Sequence, residues 1–317
     1  MGGIDLSTNI CGIKLKNPTI LASGILGCTS GILRRVAKSG VGALITKSIS
    51  VEERAGHRGP NLIEPIHGVV LNAFGLPNPG YRAFMEELKE LEDINVPVIP
   101  SIAGRNCKEF IEVSSAFEDA GSKILEVNIS CPHSEKGYRG APIIAQDKDK
   151  TGEIIQAIKG SISIPIIVKL SPNVTDIVEF AKVSVECGAD AISAINTIEA
   201  LEVDPILERP VLGNMVGGQS GPSIRCIAQR KVADIAIAMK RKEIKKVPII
   251  GVGGIRSGED IARFLLLGAE AVGIGSSILY DDFEVFDKAI SGLKDYMREK
   301  GYKKISVFRS NALEWLI

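Results

Sequence analysis

Three kinds of residue in this 317-residue chain stand directly after short apolar runs and could do chemistry. They are the thiol of Cys131, the ammonium groups of Lys47 and Lys169, and the turns Gly253-Gly254 and Gly275-Ser276. A thiol ionises near pH ~8.5, so a pocket that tunes it can make it a proton acceptor or donor near neutrality. No His or Asp stands near Cys131 in a nucleophile's triad pattern, which favours acid–base work over covalent attack. A lysine aimed into a protein interior is costly unless it meets an anion or an electron-rich ring. A reduced flavin is such a ring, and an ammonium beside it favours reduction. A salt bridge is the plainer use, for which Glu126 is the carboxylate closest to a strand end. Bare backbone N–H groups at the glycine turns suit a phosphate, although tight turns demand glycine in any case.

Groups so far apart in sequence need a scaffold that brings them to one place. The chain supplies two alternating kinds of apolar run. One opens with proline, at Pro18, Pro97, Pro165 and Pro248; the other follows a glycine, at Gly40, Gly121, Gly188 and Gly268. Continuous β-branched runs of this length read as strands buried on both faces, and proline is tolerated at a strand's first residue. Amphipathic helical patterns lie between them over 32–38, 81–91, 109–120, 150–160, 177–186, 224–239, 260–267 and 283–298. Eight strand–helix units predict a (β/α)8 TIM barrel occupying 1–317 as a single domain, with a doubly wound sheet as the competing arrangement. A hairpin over 10–15 and the segment past about Lys300 fall outside the eight units and are expected to cap the barrel or meet a partner. Two long connections, 49–80 and 197–223, are long enough to be functional.

In such barrels chemistry sits where strands end. The strand ends carry Ser23, Lys47, Ser48, Ser101, Asn128, Cys131, Lys169, Asn196 and Thr197, and the phosphate-type turns follow the last two strands. Composition removes several other classes. The 38 Lys+Arg balance 38 Asp+Glu, so no global field draws nucleic acid or an anionic membrane. Mean hydropathy is +0.17, yet no apolar stretch reaches the ~18–20 residues of a spanning helix. The N-terminal residues lack a basic n-region, so no secretory signal is expected. Cysteines at 11, 28, 107, 131, 187 and 226 form no C-x-x-C pair, and His57, His67 and His133 show no metal-ligand spacing. This pattern suggests a reducing cytoplasm and no metal site.

At this point the chain resembles the class 1 dihydroorotate dehydrogenases, flavin-dependent barrels of pyrimidine biosynthesis. The resemblance runs from Leu15-Lys16-Asn17-Pro18 to Gly275-Ser276 and rests most on three segments. These are Asn72-Ala73-Phe74-Gly75-Leu76-Pro77-Asn78-Pro79-Gly80, Asn128-Ile129-Ser130-Cys131-Pro132 and Gly218-Gln219-Ser220-Gly221-Pro222. It implies FMN, with the phosphate at Gly253, Gly254, Gly275 and Ser276, and the remaining groups among Ser23, Lys47, Ser48, Asn128, Lys169, Ile195 and Gly221. It implies dihydroorotate held by Lys47, Asn72, Ala73, Phe74, Gly75, Leu76, Asn128, Asn196 and Thr197. In the implied oxidation to orotate, Cys131 takes the C5 proton while hydride passes from C6 to flavin N5. A cysteine in this role is similar to the soluble class 1 enzymes. Asn78-Pro79-Gly80 looks more like the NAD-linked subclass, which implies a homodimer assembling with a second subunit that carries FAD and a 2Fe–2S cluster into a heterotetramer.

Departures from the family pattern are Ser101, where an FMN-contacting Asn is common, His133 in place of Asn, and a longer stretch between Cys131 and Asp147. Cys131-Pro132-His133 and Pro172-Asn173-Val174-Thr175-Asp176-Ile177 are similar to dihydropyrimidine dehydrogenases, which reduce uracil on the same fold. That reading and a fumarate-linked homodimeric subclass are the alternatives. The absence of ferredoxin-like cysteines argues against a self-contained uracil reductase. Zero net charge argues against the tRNA-dihydrouridine synthases, which share barrel, FMN and cysteine. A phosphate-binding barrel enzyme without flavin is the remaining rival.

Overall fold

A computed structural model describes residues 3–129 and 144–317. Eight parallel strands close into a barrel: β1 (Thr19–Leu21), β2 (Ala43–Ile49), β3 (Val98–Ile102), β4 (Leu125–Asn128), β5 (Ile166–Leu170), β6 (Ala191–Ala194), β7 (Ile249–Val252) and β8 (Ala271–Ile274). Each pairs with its neighbours in chain order, and β8 returns to β1 through Ile274↔Leu21. Nearly every strand residue is buried, as expected where side chains alternate between the barrel interior and the surrounding helices.

The lower interior is apolar. Ile20, Ile45, Ile99, Ile167, Ala191, Ile250 and Ala271 pack there with Ile10 and Leu15, which come from an antiparallel hairpin pairing Thr8–Ile10 with Ile13–Leu15. The hairpin therefore plugs the amino end of the barrel and leaves the carboxyl end for chemistry.

The outer layer is α1 (Ser30–Ala37), α2 (Tyr81–Lys89), α3 (Cys107–Asp119), α4 (Lys148–Ser161), α5 (Ile177–Glu186), α6 (Arg225–Lys240), α7 (Gly258–Leu266) and α8 (Glu284–Glu299). Several starts are set by side-chain caps. Asn106 accepts from Glu109 N, Asp147 from Lys150 N, and Ser257 and Asp260 form a reciprocal capping box on α7. α7 crosses α8 at Gly258, whose missing side chain lets the backbone at Gly292 and Leu293 come into contact. The segment past Lys300 packs on the outside of the barrel, burying Phe308 and Leu313, with Ser310 N donating to Leu265 O. It packs on the helices and also meets the amino end of the chain, where Asp5 N donates to Lys303 O at 2.9 Å.

The two long connections are not loops in the ordinary sense. Residues Ile198–Leu201, Val216–Ser220, Val69–Asn72 and Leu62–Ile66 form a four-stranded antiparallel sheet in that order, joining the connection after β2 to the one after β6.

Candidate active site

The strand ends, with this roof sheet beside them, enclose a cavity of about 820 Å³. At one end lie Gly221, Gly253, Gly254, Gly275 and Ser276. Gly254 has φ +69°, and a side chain there would place Cβ 2.8 Å from Arg225 Cβ and 2.9 Å from Gly221 O. Gly253 has φ +139°, and its Cβ would lie 2.5 Å from Ala228 Cβ. The first turn of α6 thus lies against the β7 turn so closely that both positions demand glycine. The amide N–H groups of Gly254, Gly275 and Ser276 donate no hydrogen bond to another described residue. A one-turn helix, Ile278–Asp281, starts just beyond Ser276. Turns after the last two strands beside a short helix are the phosphate-holding arrangement of this architecture.

Toward the middle stand the two lysines. Lys169 is 5% exposed, and its Nζ donates to Ser23 Oγ at 2.8 Å, tying β5 to the end of β1 across the barrel mouth. Lys47 Nζ lies 5.3 Å from the centre of the Phe74 ring, and burial lowers its pKa below the usual lysine value. Among the described lining residues, Lys47, Arg54 and Lys169 carry positive charge, against the single carboxylate of the exposed Glu199. A cavity so charged favours an anionic occupant.

The amide groups occupy the other side. Asn128 Nδ2 donates to Ser48 Oγ at 2.9 Å, and Asn196 Nδ2 donates to Asn128 Oδ1 at 3.4 Å. Asn196 Oδ1 accepts from Thr197 N at 2.8 Å. Asn72 Nδ2 donates to Gly218 O at 3.3 Å, which joins the Asn72–Leu76 segment to the roof sheet.

All but two of the residues expected at the site line this one cavity: Ser23, Lys47, Asn72, Ala73, Phe74, Gly75, Leu76, Asn128, Lys169, Ile195, Asn196, Thr197, Gly221, Gly253, Gly254, Gly275 and Ser276. Ser48 does not line it. Its side chain is buried in the barrel wall, and its hydroxyl meets Ser101 and Asn128. Cys131 lies outside the described residues.

A family model described as dihydroorotate dehydrogenase matches residues 5–297. The chain belongs to the dihydroorotate dehydrogenase family. It is 43% identical over 304 residues to a Methanocaldococcus jannaschii protein named dihydroorotate dehydrogenase B (NAD(+)), catalytic subunit, covering 95% of this chain and 96% of the relative. Proteins of the same name from Methanothermobacter thermautotrophicus and Pyrococcus abyssi are 42% and 40% identical, again over 95% and 98% of this chain and 96% and 99% of theirs. A solved structure of dihydroorotate dehydrogenase from Eimeria tenella, in complex with ferulenol, shares the fold with a TM-score of 0.81 at 20% identity, covering 97% of this chain and 88% of that one.

Sequence reasoning missed part of the cavity wall of this dihydroorotate dehydrogenase family member. Asn173 bridges two strand ends: its Nδ2 donates to Thr197 O at 3.1 Å and its Oδ1 accepts from Glu199 N at 2.9 Å. His57 reaches the cavity with Nδ1 3.2 Å from Ala73 O, clasping the Asn72–Leu76 segment from its own loop. The position of Asn173 just after β5 was the available signal; nothing in the spacing of His57 gives its role away. Among the described residues no helix is long and apolar enough to cross a membrane.

Proposed function

We propose that this chain is an FMN-dependent catalytic subunit that oxidises (S)-dihydroorotate to orotate in pyrimidine synthesis and delivers the electrons to NAD through a partner subunit carrying FAD and a 2Fe–2S cluster. The observation that carries this reading is a single cavity with free glycine amides at one end, lysines at its centre and asparagine amides beside them. FMN fits that donor set: the phosphate requires bare N–H groups, and the isoalloxazine requires hydrogen-bond donors and a cation beside its pyrimidine edge. Gly221, Gly253, Gly254, Gly275 and Ser276 would hold the phosphate, and Ser23, Lys169, Ile195 and Asn128 the ring and ribityl chain. When bound, FMN supplies the acceptor for the two electrons and the hydrogen that leave C6 of the substrate.

The protein's own groups do the rest. Lys47 pairs with the substrate carboxylate, and the cation excess of the cavity favours an acid over its uncharged analogue. Asn72, Asn128, Asn196 and Thr197 pair with the ring amides and hold C5 and C6 in line for transfer. Cys131, three residues beyond Asn128, takes the C5 proton as a thiolate. The names carried by the relatives support the electron route through a second subunit. Stopped-flow reduction of the purified yellow chain tests this reading. Dihydroorotate should reduce the flavin rapidly and dihydrouracil at least about tenfold more slowly at equal concentration, because the latter lacks the carboxylate that Lys47 would pair. Equal rates, or a colourless protein that binds no FMN, would overturn it.

A further inference from the structure

Glu126 is 1% exposed inside a barrel and takes no part in the chemistry above. Its position follows from register. Ser48 pairs with Ser101 between β2 and β3, and Ser101 pairs with Glu126 between β3 and β4, so the three side chains stand side by side at one level of the barrel wall. Asn128 lies two residues further along β4, on the same face as Glu126.

Ser101 Oγ donates to Glu126 Oε1 at 3.1 Å, Ser48 Oγ lies 3.0 Å from Ser101 Oγ, and Asn128 Nδ2 donates to Ser48 Oγ at 2.9 Å. The bonds of this row run one way. Ser101 Oγ donates to Glu126 Oε1, so its single proton is spent there. The Ser48–Ser101 contact can then be a hydrogen bond only if Ser48 donates, which leaves Ser48 to accept from the amide of Asn128. The opposite end agrees. Thr197 N can only donate, so Asn196 turns Oδ1 toward it and Nδ2 toward Asn128 Oδ1.

We infer that Glu126, acting through Ser101 and Ser48, is a positioning residue that fixes which end of the Asn128 amide faces the mouth of the barrel. This assigns a use to Ser101, which departs from the pattern the family resemblance implies, and it explains why Ser48 is buried in the wall instead of lining the cavity. If the amide turned over, Ser48 would donate to Asn128 and its contact with Ser101 would have no proton. Two amide donors, Asn128 Nδ2 and Asn196 Nδ2, would then also face each other.

The inference rests on the proposed function only for the consequence that a turned amide weakens substrate binding. Its test therefore includes a readout that needs no substrate. In the full chain labelled with 15N-asparagine, the side-chain amide resonance of Asn128, assigned by its loss in Asn128→Asp, should shift in Ser101→Ala and in Glu126→Leu. In the FMN-loaded protein, both variants should bind orotate about tenfold more weakly, read from the flavin absorbance change. Thermal melts identify a variant that has lost its fold; the other variant then carries the test. An unshifted Asn128 resonance together with unchanged orotate affinity in a folded variant would overturn the inference. A parent chain that binds no orotate, but whose Asn128 resonance moves as stated, would overturn the proposed function and leave the positioning role standing.

Discussion

Replacing Gly254 by alanine separates two costs that the structure places at one residue. The first is conformational: an L-residue at φ +69° costs about 1 kcal/mol. The second is crowding, because the added methyl would sit 2.8 Å from Arg225 Cβ and 2.9 Å from Gly221 O, neither of which is the loose end of a side chain. Overpacking of this kind costs about 1–3 kcal/mol, so the sum is about 2–4 kcal/mol. Gly301 is the matched control: its φ is +73°, and a Cβ there meets nothing within 4 Å. Gly301→Ala should therefore lose only the conformational part, about 1 kcal/mol. Urea unfolding of both apoproteins measures the difference. FMN titration by fluorescence quenching then asks whether the crowding reaches the phosphate end. Relief of the clash must displace Gly221 or the start of α6, so FMN affinity should fall by about tenfold in Gly254→Ala and stay level in Gly301→Ala. Equal stability losses would refute the close approach of α6. Equal FMN affinities would refute the placing of the phosphate at these turns.

Other outcomes follow from the site and its frame. Burial lowers the pKa of Lys47, so the KM for dihydroorotate should begin to rise below pH 10.5 on the alkaline side, and a Lys47→Met variant should lack that limb in a pH series. The same shift means that, between the lowered value and the ordinary 10.5, the unfolded chain holds more protons, so urea-measured stability should rise with pH across that window. Asp260 is 2% exposed, caps α7 and pairs with Arg225 and Arg263; Asp260→Ala should cost about 2–4 kcal/mol in the same unfolding assay. Cys131→Ser should keep FMN bound and slow single-turnover flavin reduction by about 10²–10⁴-fold at neutral pH, since a hydroxyl is a far weaker base; an unchanged rate would remove Cys131 from the reaction.

The parts of the fold that were legible in the sequence are those encoded locally. Proline and glycine bracket apolar runs that can only be buried strands, and all eight appear where those brackets stand. The capping residues Ser257 and Asp260 announce α7 in the same way. The roof sheet was not legible, because its pairing joins residues far apart and its strands lack a period. Val216–Ser220 contains two consecutive glycines, and Leu62–Ile66 contains a proline and is mostly exposed. For the site, residue type and place at a strand end were enough to collect the cavity-lining groups. Ser48 shows where this reasoning stops, since β2 and β3 shift register between Ile45 and Ser48, and a count of alternation along β2 cannot foresee that.

The roof sheet also orders events in time. Asn72 pairs with Gly218 across 146 residues, so six of the eight barrel strands precede the segment that completes the roof. Contacts of such sequence separation form late, after the local strand–helix units have closed. The glycine turns of β7 and β8 come later still in the chain. A growing polypeptide therefore acquires these glycine turns and its roof in the last third of synthesis. Under the proposed function, incomplete chains lack the turns that would hold the phosphate, and flavin uptake becomes a signature of a finished barrel.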